Sequence, residues 1–344
     1  MSAFWRADLF LKWISPLAIA VLSTLFFLPF PLAAQTYLDD VHVVPRSATA
    51  MNTSAPESAR LVSGSLGDVI HKDVNLVLVP VSVTDPQQRL VTGLSRDNFQ
   101  VFEGKKSQEI RHFSSEDAPV SIGLVVDTSG SMKDKMERVH QAVTEFCEAA
   151  NPQDEFFLIT FADRPQLVED FTNSPSEIEN KMIFARSKGS TALLDAIYLG
   201  LAKMRQAKYS KKALLIISDG GDNHSRYGEW QVKKASQEAD VAIYAIGVYD
   251  RYVPTREEYL GPELLSHITE PTGGRAFTVS DINDLPSVAY RLGMELRVQY
   301  VLAYQPADAP RDGKWHKIRV KLRLPKRLAF LQAHAKTGYY APGK

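Results

Sequence analysis

The chain has 344 residues, 44% of them hydrophobic and 23% charged, which is enough for two domains and a sizeable core. Forty basic residues balance forty acidic ones, so no global charge bias points to nucleic acid or to an anionic surface as partner. Cys147 is the sole cysteine, which excludes an intrachain disulfide and leaves a core or a bound metal to hold the fold.

Residues 1–34 form a leader. Arg6 and Lys12 precede an apolar stretch from Trp13 to Ala34 that ends in Leu-Ala-Ala before Gln35. This pattern predicts a secretory signal with a small-residue cleavage site. The stretch is also long enough for an uncleaved membrane anchor, although Pro16, Pro29 and Pro31 interrupt a continuous helix. Either way the body is expected to be exported, to the periplasm, the cell envelope or the medium. Residues 35–74, rich in Ser, Ala, Pro and Asn, read as a flexible tether.

Residues 75–117 read as a β-rich flank. A strand is predicted over Asn75 to Thr84, with Pro80 marking an edge position or a bulge. After a turn at Asp85 to Arg89, short extended pieces follow near Leu90, over Phe99 to Glu103 and over Glu109 to Phe113.

Over residues 118–296 the pattern changes. Apolar runs at 120–126, 156–161, 213–218, 241–248 and 276–279 alternate with helical patterns at 133–150, 176–186, 192–207, 229–239, 262–270 and 282–296. Continuous apolar strands separated by helices predict a doubly wound, mainly parallel sheet covered on both faces. Cys147 falls at an apolar position of the first helix and reads as buried packing. Residues 297–344 revert to strands at 297–304, 315–324 and 329–337. So small a β-piece is marginal alone. It is expected to pair with the flank before Val120, with the α/β body inserted between two halves of one β-sandwich.

Chemistry gathers where the parallel strands end. The apolar run Val120 to Val126 stops at Asp127, then Ser129 and Ser131 follow before a helix. A carboxylate and hydroxyls at the carboxyl end of a parallel strand, without thiol or imidazole, suit a hard divalent cation such as Mg²⁺, Mn²⁺ or Ca²⁺. A second strand ends in Asp219, with Gly220, Gly221, Asp222 and Asn223 after it. The turn Lys188 to Thr191 puts a third hydroxyl at a helix start. Two carboxylates match the charge of the ion, and hydroxyls complete the donors without adding charge. Such an ion stays electrophilic and favours an acidic group from outside.

The motif D-x-S-x-S at 127–131, Thr191 in G-S-T-A-L-L-D-A and Asp219 in S-D-G together resemble the metal-ion-dependent adhesion site of the von Willebrand factor type A domain. The resemblance covers about residues 118–296. It implies a Rossmann-like sheet with Mg²⁺ or Mn²⁺ held by Asp127, Ser129, Ser131, Thr191 and Asp219. It also implies a partner protein whose Glu or Asp completes the shell. Gly130, Ser190, Asp222 and Asn223 stand beside these positions, as supports of the ion site or as partner contacts. The flanks, with G-L-S-R-D-N-F-Q-V-F-E-G and D-G-K-W-H-K-I-R-V, resemble an exported bacterial subgroup common in acidobacteria.

Rival readings fare worse. Asp127 to Gly130 lacks the uninterrupted triplet of an aspartic protease, and a helix follows it where that fold needs an antiparallel barrel. An aspartyl-nucleophile phosphatase wants a second Asp where Ser129 stands. No H-E-x-x-H or G-x-S-x-G motif is present, so no enzyme and no small-molecule substrate are expected. The basic run Lys314 to Arg327 alternates with Ile318, Val320, Leu322 and Leu324, the mark of a strand with one solvated face. Two functions follow: a metal-dependent binding or adhesion module, or a structural subunit in which the metal only stabilises the fold.

Overall fold

The computed structural model describes residues 76–249, 256–306 and 311–343, so the leader and tether expected over 1–34 and 35–74 lie outside the described residues. Four strands come first: β1 (Val77–Thr84), β2 (Phe99–Glu103), β3 (Lys106–Gln108) and β4 (Ile110–Ser114). Strands and helices then alternate through β5 (Ser121–Asp127), α1 (Met136–Ala149), β6 (Glu155–Phe161), β7 (Pro165–Thr172), α2 (Pro175–Met182) and α3 (Leu193–Lys203). They continue through β8 (Lys212–Ser218), α4 (Glu229–Ala239), β9 (Ala242–Val248), α5 (Arg256–Thr269), β10 (Ala276–Val279) and α6 (Leu285–Arg297). Strands β11 (Tyr300–Tyr304), β12 (Trp315–Leu322), β13 (Gln332–Ala335) and β14 (Gly338–Tyr340) complete the order.

The central sheet runs β10-β9-β8-β5-β6-β7 and is parallel except for the antiparallel β6–β7 pair. Every residue of β5 is buried, because helices cover both faces of the sheet. On one face α1 and α6 place Val139, Val143, Phe146 and Leu292 against Leu124 and Val126. On the other, α3, α4 and α5 place Ile197, Val232 and Leu265 against Val125, Ile159 and Ile216. Cys147 is buried, and desolvation drives its thiol up to about 12, which makes it inert packing.

Strands from the two flanks pair with each other. One sheet runs β13-β1-β11-β4 and the other β14-β12-β2-β3, with antiparallel pairs throughout. They close on one core of Val79, Val81, Val83, Val101, Leu302 and Ile318 with Tyr300 and Tyr304. The α/β body is therefore inserted in an antiparallel sandwich, as the sequence pattern predicts.

Pro80 differs from the expected edge position. Strand β1 lies inside its sheet, not at an edge. Yet β11 pairs with Val77–Val81 while β13 pairs only from Val81 onward, so at Pro80 the strand has a neighbour on one side alone. A missing N–H costs nothing there. Two further differences concern the ends of α6 and β7. The helix runs on through Arg297, where a strand is predicted, and β11 starts only at Tyr300. The edge strand β7, with no fully buried residue, carries no apolar run for sequence reasoning to detect.

A polar seam joins sandwich and α/β body. Arg275 donates to Glu295 Oε2 from Nη2 at 2.5 Å and from Nε at 3.2 Å, and Arg275 Nη1 also donates to Gln88. Beside them, Gln299 Nε2 donates to Tyr244 Oη at 2.7 Å and to Ser82 Oγ at 3.2 Å. Arg275 and Glu295 are almost fully buried.

Candidate metal site

Strand β5 ends by delivering Asp127 into a fully buried position. Its Oδ1 accepts the Ser129 N–H at 2.8 Å and its Oδ2 accepts the Ser218 hydroxyl at 2.6 Å. The chain then turns, and the Ser129 and Ser131 hydroxyls come to 3.0 Å from each other. Ser129 is buried while Gly130 and Ser131 face solvent. A short 3₁₀ turn over Gly130–Lys135 leads into α1.

Strand β8 is the neighbour of β5, in register through Val126 and Ile217, so Asp219 follows next to Asp127. Asp219 is buried, and its Oδ2 has no hydrogen-bond partner. The Lys135 ammonium stands 3.8 Å from that oxygen and donates to the Val248 carbonyl at the end of β9. Burial first, and then the neighbouring Asp219 charge, push the Asp127 carboxyl up to about 7, against the Ser218 and Ser129 hydrogen bonds. Two buried carboxylates thus stand side by side, one with an oxygen that no hydrogen bond satisfies.

The third loop is tied to the first. Lys188 N–H donates to the Thr128 carbonyl at 2.9 Å and Gly130 N–H donates to the Gly189 carbonyl at 3.0 Å. Gly189 has φ +94°, and a Cβ there would meet the Asp163 carboxylate at 2.6 Å, so only glycine fits. Ser190 N–H donates to Asp163 Oδ1 at 2.7 Å. Thr191, buried, is clasped by Asn223, whose Oδ1 accepts the Thr191 N–H at 2.9 Å and whose N–H donates to the Thr191 carbonyl at 3.0 Å.

Asp222 and Asn223 thus act as positioning residues. Asp222 Oδ1 accepts the Leu193 N–H at 3.0 Å at the start of α3, and the Ser225 hydroxyl at 2.6 Å. Asp195 has a different place. It accepts the Arg226 and Tyr227 N–H groups at 2.9 and 3.0 Å, which fixes the loop that carries Asn223.

Ser218, Lys135 and Asp163 escape the sequence reading. Ser218 is the last residue of β8, directly before Asp219, a signal available in hindsight. Asp163 is 27 residues from Ser190, and nothing local marks it.

Among the described residues no group of three or more His, Cys, Asp or Glu side chains is arranged to hold a metal ion. Any ion held here must therefore take hydroxyl oxygens together with the two carboxylates, which fits a hard cation.

The buried carboxyl predicts a pH dependence. Between about pH 4 and 7 the folded, cation-free chain keeps the Asp127 proton that the unfolded chain has released, so stability falls as pH rises through that window. Urea unfolding in chelator is expected to show a loss of about 2 kcal/mol from Asp127 between pH 5 and 7. In Asp127→Asn this component disappears and the profile is flatter.

Comparison with known proteins follows the same lines. Residues 122–221 match the sequence model of the von Willebrand factor type A domain, and the α/β body is a domain of that family. Domains of this family generally mediate protein–protein interaction. An uncharacterised protein of Borreliella burgdorferi is 23% identical over 188 residues, covering 48% of this chain and 55% of that protein. The match thus spans about half the length of that relative. Among solved structures, a von Willebrand factor type A protein from Catenulispora acidiphila is 10% identical, covering 76% of this chain and 72% of that one at a TM-score of 0.47. The von Willebrand factor domain of the type V pilus tip protein Mfa5 from Porphyromonas gingivalis is 12% identical, covering 52% and 94% at a TM-score of 0.41.

Proposed function

We propose that the chain is an exported, non-enzymatic module that grips a protein partner through a divalent cation, Mg²⁺, Mn²⁺ or Ca²⁺. Asp127, Ser129, Ser131, Thr191 and Asp219 hold the cation, and a Glu or Asp of the partner completes its shell. The observation that carries this reading is the buried pair Asp127 and Asp219, with Asp219 Oδ2 lacking a hydrogen-bond partner. Lys135 at 3.8 Å is a counter-charge but does not hydrogen-bond that oxygen, so one cation serves two buried carboxylates, and a bound divalent ion is the direct way to satisfy both.

When bound, the cation supplies an electrophilic point for an incoming carboxylate. The protein residues do the rest. Ser218 and the Ser129 N–H fix the Asp127 carboxylate, and Asn223 fixes the backbone of Thr191. Exposed Ser131 and Gly130 leave the approach open from solvent. Export rests on the leader, whose charged start and apolar core are read from the sequence.

A second reading makes the cation a structural pin, and the burial of both carboxylates favours it equally. Thermal unfolding separates the two when combined with binding. The chain in Mg²⁺, Mn²⁺ or Ca²⁺ at about a hundredfold over Kd is expected to gain about 2.7 kcal/mol over chelator. For a chain of this size that is about 4–5 °C in Tm. Envelope-extract capture should then require the cation and fail in Asp127→Asn. Capture unaffected by chelator, with the Tm shift intact, leaves the pin alone.

A further inference from the structure

Beside the site, a cleft of about 570 Å³ lies between the start of β7 and the loop that leaves α2. Thr128, the residue after Asp127, forms one wall. Phe184, Arg186, Asp163 and Arg164, all exposed, also line the cleft. The loop bearing Phe184 and Arg186 is the same one that bonds to Thr128 and Gly130, so cleft and carboxylate pair share a backbone frame.

Its charge is one-sided. Lys181 is paired with Glu169 at 3.3 Å, but Arg164 and Arg186 make no ion pair among the described residues. Asp163, the one carboxylate lining the cleft, is held ionised below the ordinary range, first by the Ser190 N–H. Its partner is the metal-site loop, which leaves the two guanidinium groups for something outside. Arginine forks suit carboxylates, which they bind through two parallel bonds. Phe184, which lines the cleft, is 79% exposed, a large apolar side chain in water. Arginine beside an exposed aromatic is the composition of a binding hot spot.

We propose that this cleft is the specificity subsite for the partner, taking an extended acidic segment of a protein. Its first carboxylate reaches the cation, a second acidic residue sits between Arg164 and Arg186, and an apolar side chain covers Phe184. This rests on the metal-dependent reading above and names the partner chemistry it requires.

The test uses the 344-residue chain in Mg²⁺ and fluorescein-labelled Gly/Ser peptides. Each carries one Glu, an Asp one to four residues later, and a Phe. Control peptides replace Asp by Asn, Phe by Gly or Glu by Gln. By fluorescence anisotropy, the best Asp-containing peptide is expected to bind at least tenfold tighter than its Asn control. Arg164→Gln/Arg186→Gln should erase that difference, and Phe184→Ala should erase the preference for Phe. The Mg²⁺-induced rise in Tm should persist in all three chains. If Tm still rises but no peptide binds, or the variants bind every peptide as the parent does, the subsite is overturned and the metal reading stands. If Mg²⁺ leaves the Tm of the parent chain unchanged, both are overturned.

Discussion

Asp127→Asn is expected to abolish cation-dependent stabilisation, weakening divalent-cation affinity by at least about a hundredfold. Loss of residues that merely orient metal ligands already costs 10–100-fold. The same substitution has a second, less ordinary effect. At pH 8 the parent carboxyl is ionised above its value of about 7, buried, and next to the Asp219 charge. Asparagine keeps the shape and removes the charge, so the cation-free variant is expected to be at least as stable as the cation-free parent. Isothermal calorimetry reads the first effect and urea unfolding in chelator the second. A variant that binds no cation because it is unfolded would fail the second measurement. A variant that binds as the parent does would remove Asp127 from the ligand set.

Glu295→Ala is expected to cost about 3–5 kcal/mol, the largest stability effect of a single side chain anticipated here. Arg275 is buried with a guanidinium that donates twice to Glu295 Oε2, and truncation leaves that cation in the interior with Gln88 and the Phe277 ring as its neighbours. The converse is as informative. Arg275→Met/Glu295→Met removes both charges and is expected to cost far less than either single change, because a buried pair is expensive to break and cheap to replace. Urea denaturation of the two singles and the double forms a cycle. Additive costs in that cycle would contradict the pairing. The seam also explains why the α/β body and the sandwich hold together, since Gln88 and Ser82 come from the β1 side and Arg275, Tyr244 and Glu295 from the body.

Much of this was legible in the residues. Strands buried on both faces write themselves as apolar runs, and β5, β8 and β10 lie within a residue of where those runs fall. The pairing of flanks followed from the marginal stability of a lone three-stranded piece. Asp127 and Asp219 were legible because each carboxylate stands where the apolar run of a parallel strand stops. What was not legible is what touches at a distance. Asp163 props Gly189 and Ser190 from a separate turn, and Asp195 holds the loop of Asn223, neither of which has a periodicity. Edge strands β3, β7 and β14 are short or half-wet, so their alternation is weak.

The insertion also orders the birth of the protein in time. Val77 pairs with Tyr304 and Glu103 with Ile318, so no strand emerging early from a ribosome finds its cross-flank partner until the α/β body has been made. At synthesis rates of about 5–20 residues per second, some two hundred intervening residues impose a wait on the order of ten to forty seconds. During that wait β1 presents Val79, Val81 and Val83 with nothing to cover them. A chain of this design therefore benefits from a holding chaperone until β11 and β12 have been made, a burden borne by the flank that is synthesised first.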